Sequence, residues 1–70
     1  MLVRFVMLVR FQFERSTKGA HRYFEINDRG VQLDMQDAVI GTLYVRKSAV
    51  GNKPAQMLIV EISNIDAEVD

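Results

Sequence analysis

The sequence predicts an all-β protein: a small antiparallel sheet or half-barrel of four to five strands in hairpins, with at most one short helical turn near 48–51. Dimerisation is expected to complete it. Three observations carry this. Apolar residues alternate with period two through the first strand-like run, the clusters STKGA and NDRG read as turns, and AVIGTLYVRK is rich in β-branched and aromatic residues.

The chain opens on MLVRFVMLVRF, in which MLVRF occurs twice. Val3, Phe5, Met7, Val9, Phe11 and Phe13 take odd positions, while Arg4, Arg10, Gln12 and Glu14 take even ones. This is the alternation of a strand with one buried face. Leu2, Val6 and Leu8 make the even side apolar as well, so the first half of the strand calls for cover on both faces, which a partner subunit would supply. A signal peptide needs an unbroken apolar run of roughly 7 to 15 residues, and a spanning helix needs about 20; Arg4 and Arg10 interrupt both. The repeat spacing is even, so a slip by one repeat returns every side chain to the same face and register is weakly fixed. The other reading of the repeat starts the fold at Met7 and makes 1–6 a duplicated N-terminal extension that frays or pairs with a neighbouring molecule.

STKGA, residues 16–20, reads as a hairpin loop. A second strand then spans 21–26, with Phe24 and Ile26 assigned inward and Tyr23 outward. NDRG, residues 27–30, is a tight turn, since Asn, Asp and Gly accept left-handed geometry. Alternation of Val31, Leu33 and Met35 with Gln32, Asp34 and Gln36 suggests a short ribbon continuing that hairpin. Residues 38–47 form the clearest internal strand, with Val39, Leu43 and Val45 on one side and Gly41 marking a bulge or close approach. Ser48 then serves as a helix N-cap, Gly51 as a stop and Pro54 as a barrier. The last strand is 56–63, with Leu58, Val60 and Ile62 inward. Residues 1–63 thus make a single β domain, and 64–70 an acidic C-terminal tail.

Seventy residues allow one domain with a modest core. An apolar content of 49 % is high for so small an object and points to self-association. Cysteine is absent, which removes disulfides and thiolate sites and favours a cytoplasmic protein over a stapled secreted one. Net charge is zero but blocked in sequence. Arg4, Arg10, Arg15, Lys18 and Arg22 face only Glu14 before residue 25, whereas Glu61, Asp66, Glu68 and Asp70 close the chain. Such blocks either pair across neighbouring strands or leave a positive edge for a polyanion; the first is the commoner outcome.

The segments FQFERSTKGAHRYFEI, IGTLYVRKSAVG and PAQMLIVEI resemble a pattern in short bacterial and mobile-element proteins of unassigned function. The resemblance covers roughly 11–62. It implies a compact bacterial β-protein and transfers no site residues, and the duplicated start and the NDRGVQLDMQDAV connection depart from it.

Catalytic chemistry finds little footing. His21 is the only histidine, so one subunit has no multi-histidine metal site. Asp34 and Asp37 lack the spacing of a calcium loop. Ser16, Ser48 and Ser63 lie outside any nucleophile-elbow pattern, and GNKPA lacks a phosphate-cradling glycine spacing. No enzyme activity, cofactor or metal is expected.

Two non-enzymatic functions follow. The first is a homo-oligomeric, preferentially dimeric structural or adaptor module, with Leu2, Val6, Leu8, Ile40, Met57 and Ile59 at the interface. A free strand edge of this kind would also accept a guest peptide. The alternative is single-stranded nucleic-acid binding by Arg10, Tyr23, Tyr44 and Arg46, with Lys47 and Lys53 in the following loop.

Overall fold

A computed structural model describes the backbone of residues 3–66 and the side chains of 6–64. Four strands, β1 (Val3–Ser16), β2 (Ala20–Ile26), β3 (Thr42–Arg46) and β4 (Met57–Asp66), form one curled, half-barrel antiparallel sheet in the order β3-β2-β1-β4. A single helical turn, α1 (Lys47–Val50), follows β3. Fourteen residues at about 3.3 Å each make β1 roughly as long as the 44 Å major axis of the molecule.

The inner face is built by parity, as the alternation predicts. Val9 and Phe11 of β1 lie opposite Val60 and Leu58 of β4. Phe13 lies opposite Tyr23, which in turn lies opposite Leu43. Phe11 is fully enclosed, and Phe13, Leu43, Val45, Leu58, Val60 and Ile62 pack half-buried around it. Phe13 presents its ring edge-on to His21 and Tyr23, with centroids 6.1 and 5.7 Å apart, a geometry that suits the ring quadrupoles.

In β2 the assigned parity is reversed. His21, Tyr23 and Glu25 point inward, and Phe24 lies half-buried on the outer face. Burying three polar groups is tolerable only because each finds a partner. His21 Nε2 donates to the Gly51 carbonyl at 2.8 Å, since that oxygen can only accept; Nδ1 then accepts from the Ser16 hydroxyl at 2.8 Å. The Tyr23 hydroxyl donates to the Ala55 carbonyl at 2.7 Å. These bonds hold residues 47–56 across the inner side of the sheet, between its two edge strands. Ile26 shares the reversed side of Phe24, opposite Arg10, and is nonetheless buried at the end of β2, where it bridges Gln32.

Both turns occur where expected. The Thr17 amide donates to the Ala20 carbonyl at 2.7 Å, and Asn27 Oδ1 accepts from the amides of Arg29 and Val31. The ribbon over 31–36 does not form; apart from the Ile26–Gln32 bridge, residues 27–41 make a loop. The expected strand over 38–47 is shortened to Thr42–Arg46. The cause is the buried Glu25 carboxylate, which accepts from the amides of Val39, Ile40 and Gly41 at 2.8 to 3.0 Å and so takes donors that a ladder would use. Gly41 ends this cradle at φ 93, a backbone geometry that side chains disfavour. Ser48 is not the N-cap of α1: Arg46 occupies that position, extended and without a side-chain cap. Gly51 stops the turn as expected, at φ 91 with its amide on the Lys47 carbonyl. β4 runs past 63 to Asp66 because β1 continues back to Val3 as its partner. The remainder of the expected tail, 67–70, lies outside the described residues.

Burial pushes the Glu25 carboxyl up, yet the three amides outweigh that and leave it below its ordinary value of 4.5. A carboxylate depressed in the folded state contributes stability above its unfolded pKa and loses it as pH falls through the folded one. Replacing Glu25 by Gln is expected to cost about 1–3 kcal/mol at neutral pH. In urea titrations across pH 7 to 2 the variant should also lack the part of the acid-dependent loss that begins near pH 4.5 in the parent chain.

Candidate functional site

The two hydrogen-bonded ends of His21 raise the question of a serine–histidine pair. The imidazole is fully buried, with Ser16 on one nitrogen and Gly51 on the other. Its role is therefore a staple between the β1–β2 hairpin and the 47–56 connection. Among the described residues, no group of three or more His, Asp or Glu stands close enough to hold a metal ion.

Beyond the buried Ile26, much of the outer face of the sheet is exposed among the described residues, and two kinds of surface share it. Along β1 and β4 it is mixed, with exposed apolar side chains set between Arg10, Gln12, Glu61 and Ser63. Val6 and Leu8 lie on the same side as Met57 and Ile59, because Arg10 pairs with Ile59 and Gln12 with Met57. Leu8 and Ile59 are 62 % and 64 % exposed, and Val6 and Met57 are exposed as well. Four residues expected at an interface thus share one face, spread along six residues of the ladder with Arg10 and Glu61 among them. Ile40 is exposed in the loop of residues 27–41, apart from this strip, and Leu2 lies outside the described residues.

Along β1, β2 and β3 the outer face is cationic and aromatic. Between the Phe13–Tyr23 and Arg15–Arg22 pairs the register shifts by one residue of β1, a bulge that sets both Glu14 and Arg15 against Arg22. Arg22 in turn pairs with Tyr44. One row across the sheet therefore reads Arg15, Arg22, Tyr44, and the next reads Gln12, Phe24, Thr42. Arg46, opposite Ala20, stands two residues beyond Tyr44 on the same side of β3. The Arg22 guanidinium lies 5.8 Å from the Tyr44 ring centroid, and its Nε is 3.4 Å from Glu14 Oε1.

Of the expected nucleic-acid residues, Arg10, Tyr44 and Arg46 lie exposed on this outer face. Tyr23 does not: it is 1 % exposed on the inner side, fixed by Ala55. Lys47 is half-buried in α1, and Lys53 is exposed in the connection at the sheet's end. Arg15, Arg22 and Phe24 join the face without having been expected there. Their place depends on the bulge at Glu14 and on the reversed parity of β2. Of the two, only the parity left a trace in the sequence, as the run Arg22, Phe24, Ile26.

A third feature is a cleft of about 310 Å³ at the other end of β2, between the β1 edge at Leu8, Val9 and Arg10 and the loop residues Asp28, Leu33 and Val39. Here β1 leaves β2. Its pairing with β2 ends at Arg10–Ile26, whereas its pairing with β4 continues to Val3–Asp66. Residues 3–9 therefore have a ladder partner on one side alone among the described residues.

No family model, curated protein or solved structure matches the chain. Among the described residues, no helix is long and apolar enough to cross a membrane.

The two tyrosines should separate cleanly. Tyr23→Phe removes a buried hydrogen bond and strands the Ala55 carbonyl, for an expected loss of about 0.5–1.5 kcal/mol. Tyr44→Phe should stay within about 0.5 kcal/mol of the parent. Urea midpoints at unchanged m-value provide the measurement.

Proposed function

We propose that the protein is a non-enzymatic, self-associating β-sheet module of structural or adaptor type, acting in the cytoplasm, in which two copies pair along the free edge of β1. The observation that carries this reading is the overhang of β1 beyond β2, with an open edge over residues 3–9. Monomeric proteins blunt such edges with charge, proline or a covering loop. The overhang, VRFVMLV over residues 3–9, has no proline and a single charge, Arg4. Antiparallel pairing of an edge with its own copy also satisfies a two-fold axis without further design, since the same residues meet themselves. The exposed Val6, Leu8 and Ile59 beside that edge supply apolar surface for the contact. Kinship with the short bacterial and mobile-element proteins that residues 11–62 resemble belongs to this proposal and adds no site to it.

Size-exclusion chromatography with light scattering should give twice the 8.0 kDa chain mass. Leu8→Glu, at an exposed position, should return the mass to that of one chain with an unchanged circular dichroism spectrum. A single-chain mass for the parent protein at about 100 μM, a concentration at which edge-exposed species commonly associate, would overturn the assembly.

A further inference from the structure

We infer that the outer face of β1–β3 binds single-stranded nucleic acid, with phosphates on Arg15, Arg22 and Arg46 and a base stacked on Tyr44. The inference is independent of self-association, which uses the other half of the same face.

Charge is the first support. Arg15 and Arg22 are directly opposite one another in neighbouring strands, a like-charge placement that Glu14 alone offsets. Arg46 stands beyond Tyr44 on the next strand. Against these three guanidinium groups the face offers one carboxylate, Glu14. Glu14 pairs with Arg22 in charge, its Oε1 3.4 Å from Nε, but without hydrogen-bond geometry, so the enclosed Nε keeps no hydrogen bond among the described residues. Glu25, the other acid of β2, faces inward into the amide cradle, and Glu61 is at the far side of the sheet opposite Leu8.

The aromatic content is the second support. Tyr44 is 57 % exposed on an edge strand, its ring next to the Arg22 guanidinium, and Phe24 lies diagonal to it, one row along. Two rings flanked by arginines on a largely exposed sheet face suit a flexible strand whose bases can splay onto them. A duplex, with its bases stacked inside, offers no face to Tyr44. An acidic peptide would use the arginines and ignore the ring.

Fluorescence anisotropy with a labelled oligothymidylate of about 12 nucleotides tests this. Three phosphate contacts on a single strand predict that log K falls against log salt with a slope of about −2. Tyr44→Ala should weaken binding about tenfold or more, and Tyr44→Phe should restore it, because any aromatic face stacks. Arg15→Ala should flatten the salt slope by about 0.7. Glu14→Gln, which frees Arg22, should tighten binding several-fold; a merely structural Arg22–Glu14 pair would leave it unchanged. All three positions are on the outer face, and matching circular dichroism spectra establish that the variants fold. No binding at low salt overturns the inference. So does binding indifferent to Tyr44→Ala, or equal affinity for polyglutamate or a duplex of the same length, each of which would mark a general polyanion surface.

Discussion

Two side chains of β2 hold the molecule closed: His21 through the Gly51 carbonyl and Tyr23 through the Ala55 carbonyl. A single curled sheet has no second layer, so its inner face can be kept from water only by its own curvature and by whatever the chain lays across it. Here that is the connection of residues 47–56, which must travel from one edge strand to the other because β3 and β4 are at opposite ends of the order β3-β2-β1-β4. Loops rarely run over an apolar surface without a place to put their carbonyls. His21 and Tyr23 provide it, and Phe11, Phe13, Leu43 and Val45 pack beneath as a result.

The same economy explains the outer face. One connection covers one side, so the other is left open, and its character follows from the strands that build it. Where β1 and β4 pair alone, exposed Val6 and Leu8 stand opposite Ser63 and Glu61, and among the described residues the other side of β1 is a free edge. Where β2 and β3 join, the surface is arginine and aromatic. The bulge at Glu14 sharpens this division, because it leaves Ser16 inward on His21 while both Glu14 and Arg15 stand against Arg22. Without that extra residue, the even alternation of β1 would carry Ser16 to the outer side and cost His21 its second partner.

Glu25 acts at the opposite end of β2 in a comparable way. Its carboxylate gathers the amides of Val39, Ile40 and Gly41, so the loop of residues 27–41 is anchored by one charge where a longer β3 would have anchored it by a ladder. Charge-assisted hydrogen bonds from backbone amides are stronger than neutral ones, which is why one buried acid can prevail over the strand propensity of Val39 and Ile40.

Much of the fold was legible in order. The alternation of Val9, Phe11 and Phe13, and of Leu58, Val60 and Ile62, showed both the strands and their buried sides, and STKGA and NDRG marked the turns. Apolar alternation is a local property and survives folding intact. β2 departs from this pattern because polarity there does not mean exposure. His21, Tyr23 and Glu25 look outward in sequence and are inward in space, since each meets an acceptor or donor at least fourteen residues away in Gly51, Ala55 and Val39.

The candidate site divides along the same line. The exposure of Leu8, Ile59, Tyr44 and Arg46 followed from parity alone. The alignment of Arg15, Arg22 and Tyr44 did not, because it needs the bulge and the register of two ladders. Sequence by itself determined that this chain is a sheet of antiparallel strands with one greasy side, for side-chain period is written residue by residue. Which polar groups could be buried, where β3 begins and which arginines meet were decided only by tertiary structure, because those outcomes depend on hydrogen-bond partners that chain folding brings from distant positions.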